Sequence, residues 1–338
     1  MEHILVPTTS INCPKNLPIK KRGKKEFIYN FLWLWKVSQE ICSQETSSTS
    51  PFSKIYNAIR IFKNRLLFMA KSIRLLSALR PFLHSIKGSP INNLISQRPE
   101  TVGAIVWPYQ CISWDAITRL KQIEMHFNVI ETSFPKLEFP INGKINFINL
   151  DDIYENLNIV IDRPKWFMRE GQLVINLFLA DTRIYSLAFS FSLKSNQIVA
   201  YVGALQGRNI DDVLNTYKKI TKALHGLRPQ DFLFEIFRIF CSTVGIDKIL
   251  AVSDSSRQHR SSYFAKTEGW SKTTVNYDRI WLERGGTLDT SDFFIFGVEP
   301  NKKNIEEIPS HKRSMYRQRY TLLNTIGERI QNAYAQLG

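Results

Sequence analysis

The 338 residues, 43% hydrophobic and 22% charged, suffice for one large core or two moderate ones and exclude a disordered chain. Four scattered cysteines, Cys13, Cys42, Cys111 and Cys241, lack CxxC spacing, which argues against a disulfide framework and a cysteine zinc site and fits a reducing compartment. The net charge of +15 is concentrated: residues 1–90 hold fifteen Lys and Arg against four Glu and no Asp, so +11 lies there and the rest is nearly balanced.

Met1 to Leu17 has no continuous apolar run, and the basic stretch from Lys20 to Lys25 follows it, so no secretory signal is expected. Phe27 to Trp35 is too short to cross about 30 Å of hydrocarbon. The expected location is cytoplasmic, with peripheral attachment at the inner membrane as an option. Phe31, Trp33 and Trp35 beside five cations suit an interfacial anchor, and suit equally a helix docked on the core behind a solvated leader. A Ser/Thr linker, Ser43 to Ser50, closes this leader of residues 1–50. Pro51 then opens a long helix in which Ile55, Ile59, Phe62, Leu66, Met69, Ile73 and Leu76 alternate by four and three residues, forming one apolar stripe. Lys54, Arg60, Lys63, Arg65, Lys71 and Arg74 surround it without an acid, and Pro81 is expected to end the run. This basic helical region, residues 51–100, can pack on protein, lie on an anionic membrane surface together with the leader over residues 20–80, or, third in order, touch nucleic-acid phosphates.

Residues 101–338 follow an α/β (α+β) grammar: a mixed, largely antiparallel sheet with helices. A helix is expected at Trp114 to Phe127, and strands at Leu157 to Ile161, Gln172 to Leu179, Ile184 to Leu193 and Gln197 to Leu205. Lys194-Ser195-Asn196 reads as a hairpin turn. Helices at Ile210 to Leu224 and Pro229 to Val244 precede a buried strand, Ile246 to Val252, and another helix at His259 to Thr267. That order resembles the acyl-coenzyme A dependent N-acetyltransferases of the GNAT type. The likeness implies an acyl-coenzyme A site at Gln206-Gly207-Arg208-Asn209 or at His225-Gly226-Leu227-Arg228-Pro229, where exposed amides at a helix start favour an anion.

His225 is suited to proton transfer near neutral pH, or to closing a helix with Gly226 in the left-handed conformation. Arg228 can grip carboxylate or phosphate with its planar fork, or pair internally. Asp254, at the carboxyl end of a strand, can serve as general base with Ser253, His259 or Tyr263 nearby; Ser-Asp-Ser-Ser is also an ordinary N-cap. His225, Asp254 and Tyr263 are thus the catalytic candidates, and Gln206, Gly207, Arg208, His225, Arg228, Arg313 and Arg317 the anion-binding ones. His3, His84, His126, His225, His259 and His311 show no HxH or HExxH spacing, so no metal site is expected. A P-loop, a dinucleotide glycine fingerprint and a Gly-x-Ser-x-Gly elbow are missing too.

The terminal block, Pro309 to Tyr320, reads as a helix start with Ser310 at the N-cap. Lys312, Tyr316 and Tyr320 fall on one face and Arg313 and Arg317 beside them, opposite either protein carboxylates such as Glu306 and Glu307 or a phosphate-bearing ligand. With the His225 to Pro229 turn, this block resembles the bacterial VirK/YbjX family. Further likeness lies in Trp107-Pro108-Tyr109 with Trp114, Arg119 and His126-Phe127; in Arg169-Glu170-Gly171; and in Tyr201 to Gly207. It continues in Val252-Ser253-Asp254 and Tyr277-Asp278-Arg279-Ile280-Trp281, so it covers roughly Pro99 to Leu323. His311 departs from the lysine more usual in the family. The resemblance implies a virulence-associated accessory factor that supports the cell envelope or the surface localisation of virulence proteins, with an envelope or virulence protein as partner. It brings no catalytic residues. The alternative is a GNAT-like acyl-coenzyme A dependent transferase acting on an envelope component.

Overall fold

The computed structural model describes residues 24–42, 51–208, 212–264, 275–300 and 302–337. Lys20 to Arg22, the Ser43 to Ser50 linker, Asn209, Ile210 and the stretch from Ala265 to Trp270 lie outside the described residues. Two compact units result: residues 1–107 with 116–128, and residues 108–115 with 129–338. No described helix is long and apolar enough to cross a membrane.

The first unit is helical. Helix α1 (Lys24–Cys42) buries Trp33, Leu34, Val37 and Ile41, and α2 (Pro51–Arg74) buries Phe68 and Met69. Arg65 of α2 ties the two helices: its guanidinium lies 4.0 Å above the Trp35 ring and donates to Ser38 Oγ at 3.0 Å and to the Trp35 carbonyl at 2.9 Å. The run beyond Arg74 breaks at Leu75, and α3 (Leu76–Leu83) carries Pro81 inside it, so Pro81 does not end the helix as expected. In an eight-residue helix the proline removes one hydrogen bond near the end, while burial of Leu79, Phe82 and Leu83 holds that turn. Helix α4 (Pro90–Gln97) starts from a Ser89 cap, whose hydroxyl accepts from the Asn92 amide at 3.3 Å. A 3-10 turn follows at Pro99–Ile105, and α5 (Ala116–Ser133) runs longer than its sequence expectation.

The second unit is built on one eight-stranded mixed sheet, and the chain is of the α/β class. The strands are β1 (Lys144–Asn149), β2 (Leu157–Asp162), β3 (Leu173–Leu179), β4 (Thr182–Lys194), β5 (Gln197–Gly207), β6 (Lys248–Val252), β7 (Thr287–Thr290) and β8 (Phe293–Phe296). Their order is β1-β2-β3-β4-β5-β6-β8-β7, and every pairing is antiparallel except β5 with β6. The hairpin between β4 and β5 closes on Lys194↔Gln197, with Ser195 and Asn196 at φ 50° and 63°. A two-residue turn with both central residues left-handed matches the twist of the flanking strands.

The parallel pair requires a crossover, supplied by α6 (Val213–Ala223) and α7 (Pro229–Val244). Helix α7 is apolar almost all round, because one side packs on the sheet and another takes α9 (Ser310–Gln336). Its Phe237 and Phe240 stand 4.8 and 6.2 Å from the Phe189 ring of β4. Helix α8 (Tyr277–Glu283) sends the Trp281 indole N–H to the Val252 carbonyl at 2.8 Å.

Two further expectations are corrected. Instead of one helix from His259, there are 3-10 turns at Gln258–Arg260 and Ser262–Phe264, divided by Ser261 in an extended conformation that cannot continue a helix. Ser310 is the first residue of α9 and not its cap; Pro309 holds the cap position, with no side-chain hydrogen bond there.

Candidate functional site

Strand β5 pairs with β6 only from Val199↔Lys248 to Val202↔Ala251, yet it continues to Gly207 alongside β4. Beyond Val202 the β6-facing edge of β5 therefore has no strand partner among the described residues, and its amides and carbonyls need other partners. Tyr277, at the start of α8, meets that need: its hydroxyl accepts from Leu205 N at 3.1 Å and donates to Leu205 O at 3.3 Å. A cavity of about 210 Å³ lies along this opening, bordered by the Gly203 to Gly207 strand end, Tyr185, Glu170, the Arg257 to His259 turn and Tyr277.

Gly203 lies at the start of the opening. The register between β4 and β5 slips by one residue beside it, between Ala188 and Phe189, and the backbone of Glu170 crosses at the slip. A Cβ on Gly203 would stand 2.0 Å from the Glu170 carbonyl, so only glycine permits the crossing. Gln110 fastens the same crossing, its side-chain amide donating to the carbonyls of Glu170 at 3.1 Å and Tyr201 at 3.0 Å.

The Glu170 carboxyl, 5% exposed, points to the cavity and accepts at Oε1 from Gln206 at 3.2 Å and Gln258 at 3.0 Å. Burial pushes its pKa up to about 7, against the lowering pull of the two amides, Arg169 and Arg257. A carboxyl so placed exchanges a proton near neutral pH. Gln258 also donates to His259 Nδ1 at 2.7 Å, the imidazole then being the acceptor. Burial and the neighbouring Arg257, Arg169 and Arg260 lower the His259 pKa, favouring neutral imidazole. The buried Gln258 Oε1 has no hydrogen-bond partner among the described residues.

Asp254 stands behind the cavity as a positioning group. One carboxylate oxygen accepts from the Tyr277 amide at 3.1 Å and lies 3.4 Å from Arg257; the other accepts from Arg260 at 2.5 Å. The Asp254 amide donates to Asp278 at 2.7 Å. Together these bonds hold the first turn of α8, and hence Tyr277, against β5, and Arg257 stacks 4.4 Å over the Tyr277 ring.

Of the residues singled out from sequence, Gln206 and Gly207 border this cavity, and Arg208 follows them with its amide on the Ile184 carbonyl at 3.1 Å. Tyr263 takes the Arg169 guanidinium 5.4 Å above its ring. His225, Arg228, Arg313 and Arg317 are not among the residues bordering it. His225 closes α6 with φ 50°, followed by Gly226 at φ 81°, and its carbonyl accepts two bonds from Arg319, at 3.2 and 3.0 Å. Arg228 pairs with Asp231 at 2.6 Å and Glu283 at 3.3 Å. Arg313 donates to the carbonyls of Ile308 at 2.9 Å and Glu306 at 3.0 Å, and Arg317 is exposed on α9. The terminal block and the His225 turn do meet, through Arg319, which the sequence reading passed over.

A family profile described as "Protein of unknown function (DUF535)" matches residues 57–332. The chain belongs to the DUF535 family. It is 26% identical over 246 residues to the uncharacterized protein YbjX of Escherichia coli strain K12, across 70% of this chain and 72% of that protein, in keeping with the VirK/YbjX resemblance. Two uncharacterized proteins of Haemophilus influenzae Rd are 32% identical over 202 residues and 31% identical over 168. Those matches span 59% and 48% of this chain, and 62% and 53% of the two relatives. No solved structure matches. All the cavity-lining residues of this DUF535 chain fall inside the matched span.

Glu170 is the functional candidate that sequence reasoning missed. The signal was there in Arg169-Glu170-Gly171, a block noted only for its family likeness, but a glutamate before a glycine looks like a solvated turn until the chain is seen to cross Gly203.

Proposed function

We propose that this DUF535 chain is an acyl-coenzyme A dependent N-acyltransferase whose general base is Glu170. The reading is carried by one observation: the β5 edge from Gly203 to Gly207 opens away from β6 beside a buried carboxyl with a pKa of about 7. The strand order with a single parallel pair at the opening supports it, as the GNAT likeness implies. A cavity of about 210 Å³ takes an acyl thioester head and not a whole coenzyme, since pockets for complete ligands run to ~300–1,000 Å³.

In the reaction a neutral amine attacks the thioester carbonyl. Its proton passes to ionised Glu170, the new C–N bond forms, the C–S bond breaks, and the thiolate leaves as free thiol on taking up that proton. Gln206 and Gln258 hold the carboxylate in position, and neutral Tyr185 and Tyr277 add no second anion beside it.

The test is thermal unfolding with acetyl- and longer acyl-coenzyme A, joined to release of coenzyme A in the presence of primary amines, starting with lysine peptides and ethanolamine. The expected results are a raised midpoint in both wild type and Glu170→Gln, and thiol release about 10²-fold slower in the variant. A midpoint unmoved by every acyl chain length would sink the transferase and favour a non-enzymatic accessory role at the cell envelope.

A further inference from the structure

The apolar stripe of α2 is turned outward. Ile55, Ile59, Phe62 and Leu66, spaced by four and three residues, are 62%, 63%, 53% and 49% exposed, whereas Met69, further along the same stripe, and Phe68 beside it are buried. Helix α1 repeats the arrangement, with Phe27, Ile28, Phe31 and Leu32 exposed and Trp33, Leu34 and Val37 buried. The two outward stripes adjoin, because the Trp35 ring of α1 meets the Phe62 ring of α2 edge-on at 6.2 Å. An apolar surface of this continuity marks an interaction site.

The charges around it select the partner. Helix α2 contains no acid, and its Lys63 adjoins the stripe one turn from Ile59 and Leu66, with Arg60, Lys71 and Arg74 further round the helix; α1 carries two acids, Glu26, 3.1 Å from His84, and the exposed Glu40. A second copy related by a two-fold axis would set this cationic helix against itself with no carboxylate of α2 to answer it. Nucleic acid would satisfy the cations and leave Ile55, Ile59, Phe62 and Leu66 against phosphate. An anionic bilayer surface satisfies both, with headgroups for the cations and the acyl boundary for the apolar stripe.

We propose that α1 and α2 together form a peripheral docking surface for anionic lipid, lying in the membrane plane. This proposal is independent of the chemistry at Glu170.

The experiment is co-sedimentation of the full chain with vesicles of phosphatidylcholine alone and of phosphatidylcholine with phosphatidylglycerol, three parts to one, at low and high salt. Partition at least about ten-fold stronger into the anionic vesicles, weakened by salt, is expected. The triple variant Ile55→Ser, Ile59→Ser, Leu66→Ser should lose about ten-fold of that partition with an unchanged thermal midpoint, since all three side chains are exposed and the Phe62 contact with Trp35 is kept. Absence of binding to the anionic vesicles overturns the proposal. So does wild-type self-association, seen by light scattering and abolished in the triple variant without any vesicle binding, and so does binding that the triple variant fully retains, which would mark a purely ionic contact such as nucleic acid makes.

Discussion

Arg228, Arg313 and Arg319 are committed to carboxylates and backbone carbonyls near the protein surface, whereas Glu170 lies buried with two neutral amides on its acceptor oxygen. The first group is rich in charge and its charge is answered internally; the second holds one carboxyl kept partly protonated at pH 7. Charge density in a sequence therefore points to where ions must be neutralised, and reactivity arises where burial moves a single group off its ordinary pKa. Four substitutions can break or sharpen that contrast.

The largest effect belongs to the crossing that makes the buried site. Gly203→Ala places a methyl 2.0 Å from the Glu170 carbonyl, a backbone atom that cannot swing aside. The expected loss is about 3 kcal/mol or more in urea unfolding, with loss of the acyl-coenzyme A response as Glu170 is displaced. A stability within about 0.5 kcal/mol of wild type would mean that the strand end and the Glu170 crossing are not in contact.

Next comes the pH dependence of Glu170 itself. Its folded pKa, about 7, is raised above the ordinary carboxyl value of 4.5, so the native state binds its proton more tightly than the unfolded chain. Between those two values the native state holds more protons, and stability must fall as pH rises from about 4.5 to about 7, then level off. The full span is on the order of 3 kcal/mol, at about 1.4 kcal/mol per pH unit. Glu170→Gln removes this component, so the variant should gain on wild type as pH is raised from 5 to 8. Parallel stability profiles for the two proteins would show that Glu170 ionises as an ordinary surface carboxylate. Under the proposed transferase reading turnover runs the opposite way: a base acts when ionised, so thiol release should rise through pH 7.

Much of the fold was legible because the central strands declare themselves locally. Strands β2 to β5 are runs of Ile, Val, Phe and Leu bounded by turn residues, and Ser195-Asn196 accepts the left-handed backbone its hairpin needs. Strand β1, with Asn at two of six positions, and β7, exposed along its whole length, were invisible: edge strands are specified by their neighbours more than by their own composition. The outward stripe of α2 shows the opposite limit, for periodicity says that one face is apolar and not what covers it. At the site, Gln206 and Gly207, singled out from sequence because they end a strand before a helix, border the cavity. Glu170 and Gln258 were not, because their meeting depends on the one-residue slip beside Gly203, a register that no local pattern encodes.

The smallest effect should come from the residue that looked most like a ligand. Arg228 pairs with Asp231 and Glu283, but its side chain is 58% exposed, so solvent screens both attractions. Asp231 also keeps the buried Arg284 as a partner, so no carboxylate is stranded when Arg228 is removed. Arg228→Ala should cost no more than about 0.5 kcal/mol and leave any acyl-coenzyme A shift in place. Arg319→Ala is the sharper comparison, since it takes both donors from the His225 carbonyl in a left-handed turn and should cost about 1–2 kcal/mol. If Arg228→Ala instead abolished the acyl-coenzyme A response while sparing stability, the ligand would sit on the His225 to Pro229 turn, and the assignment of the site to Glu170 would have to move with it.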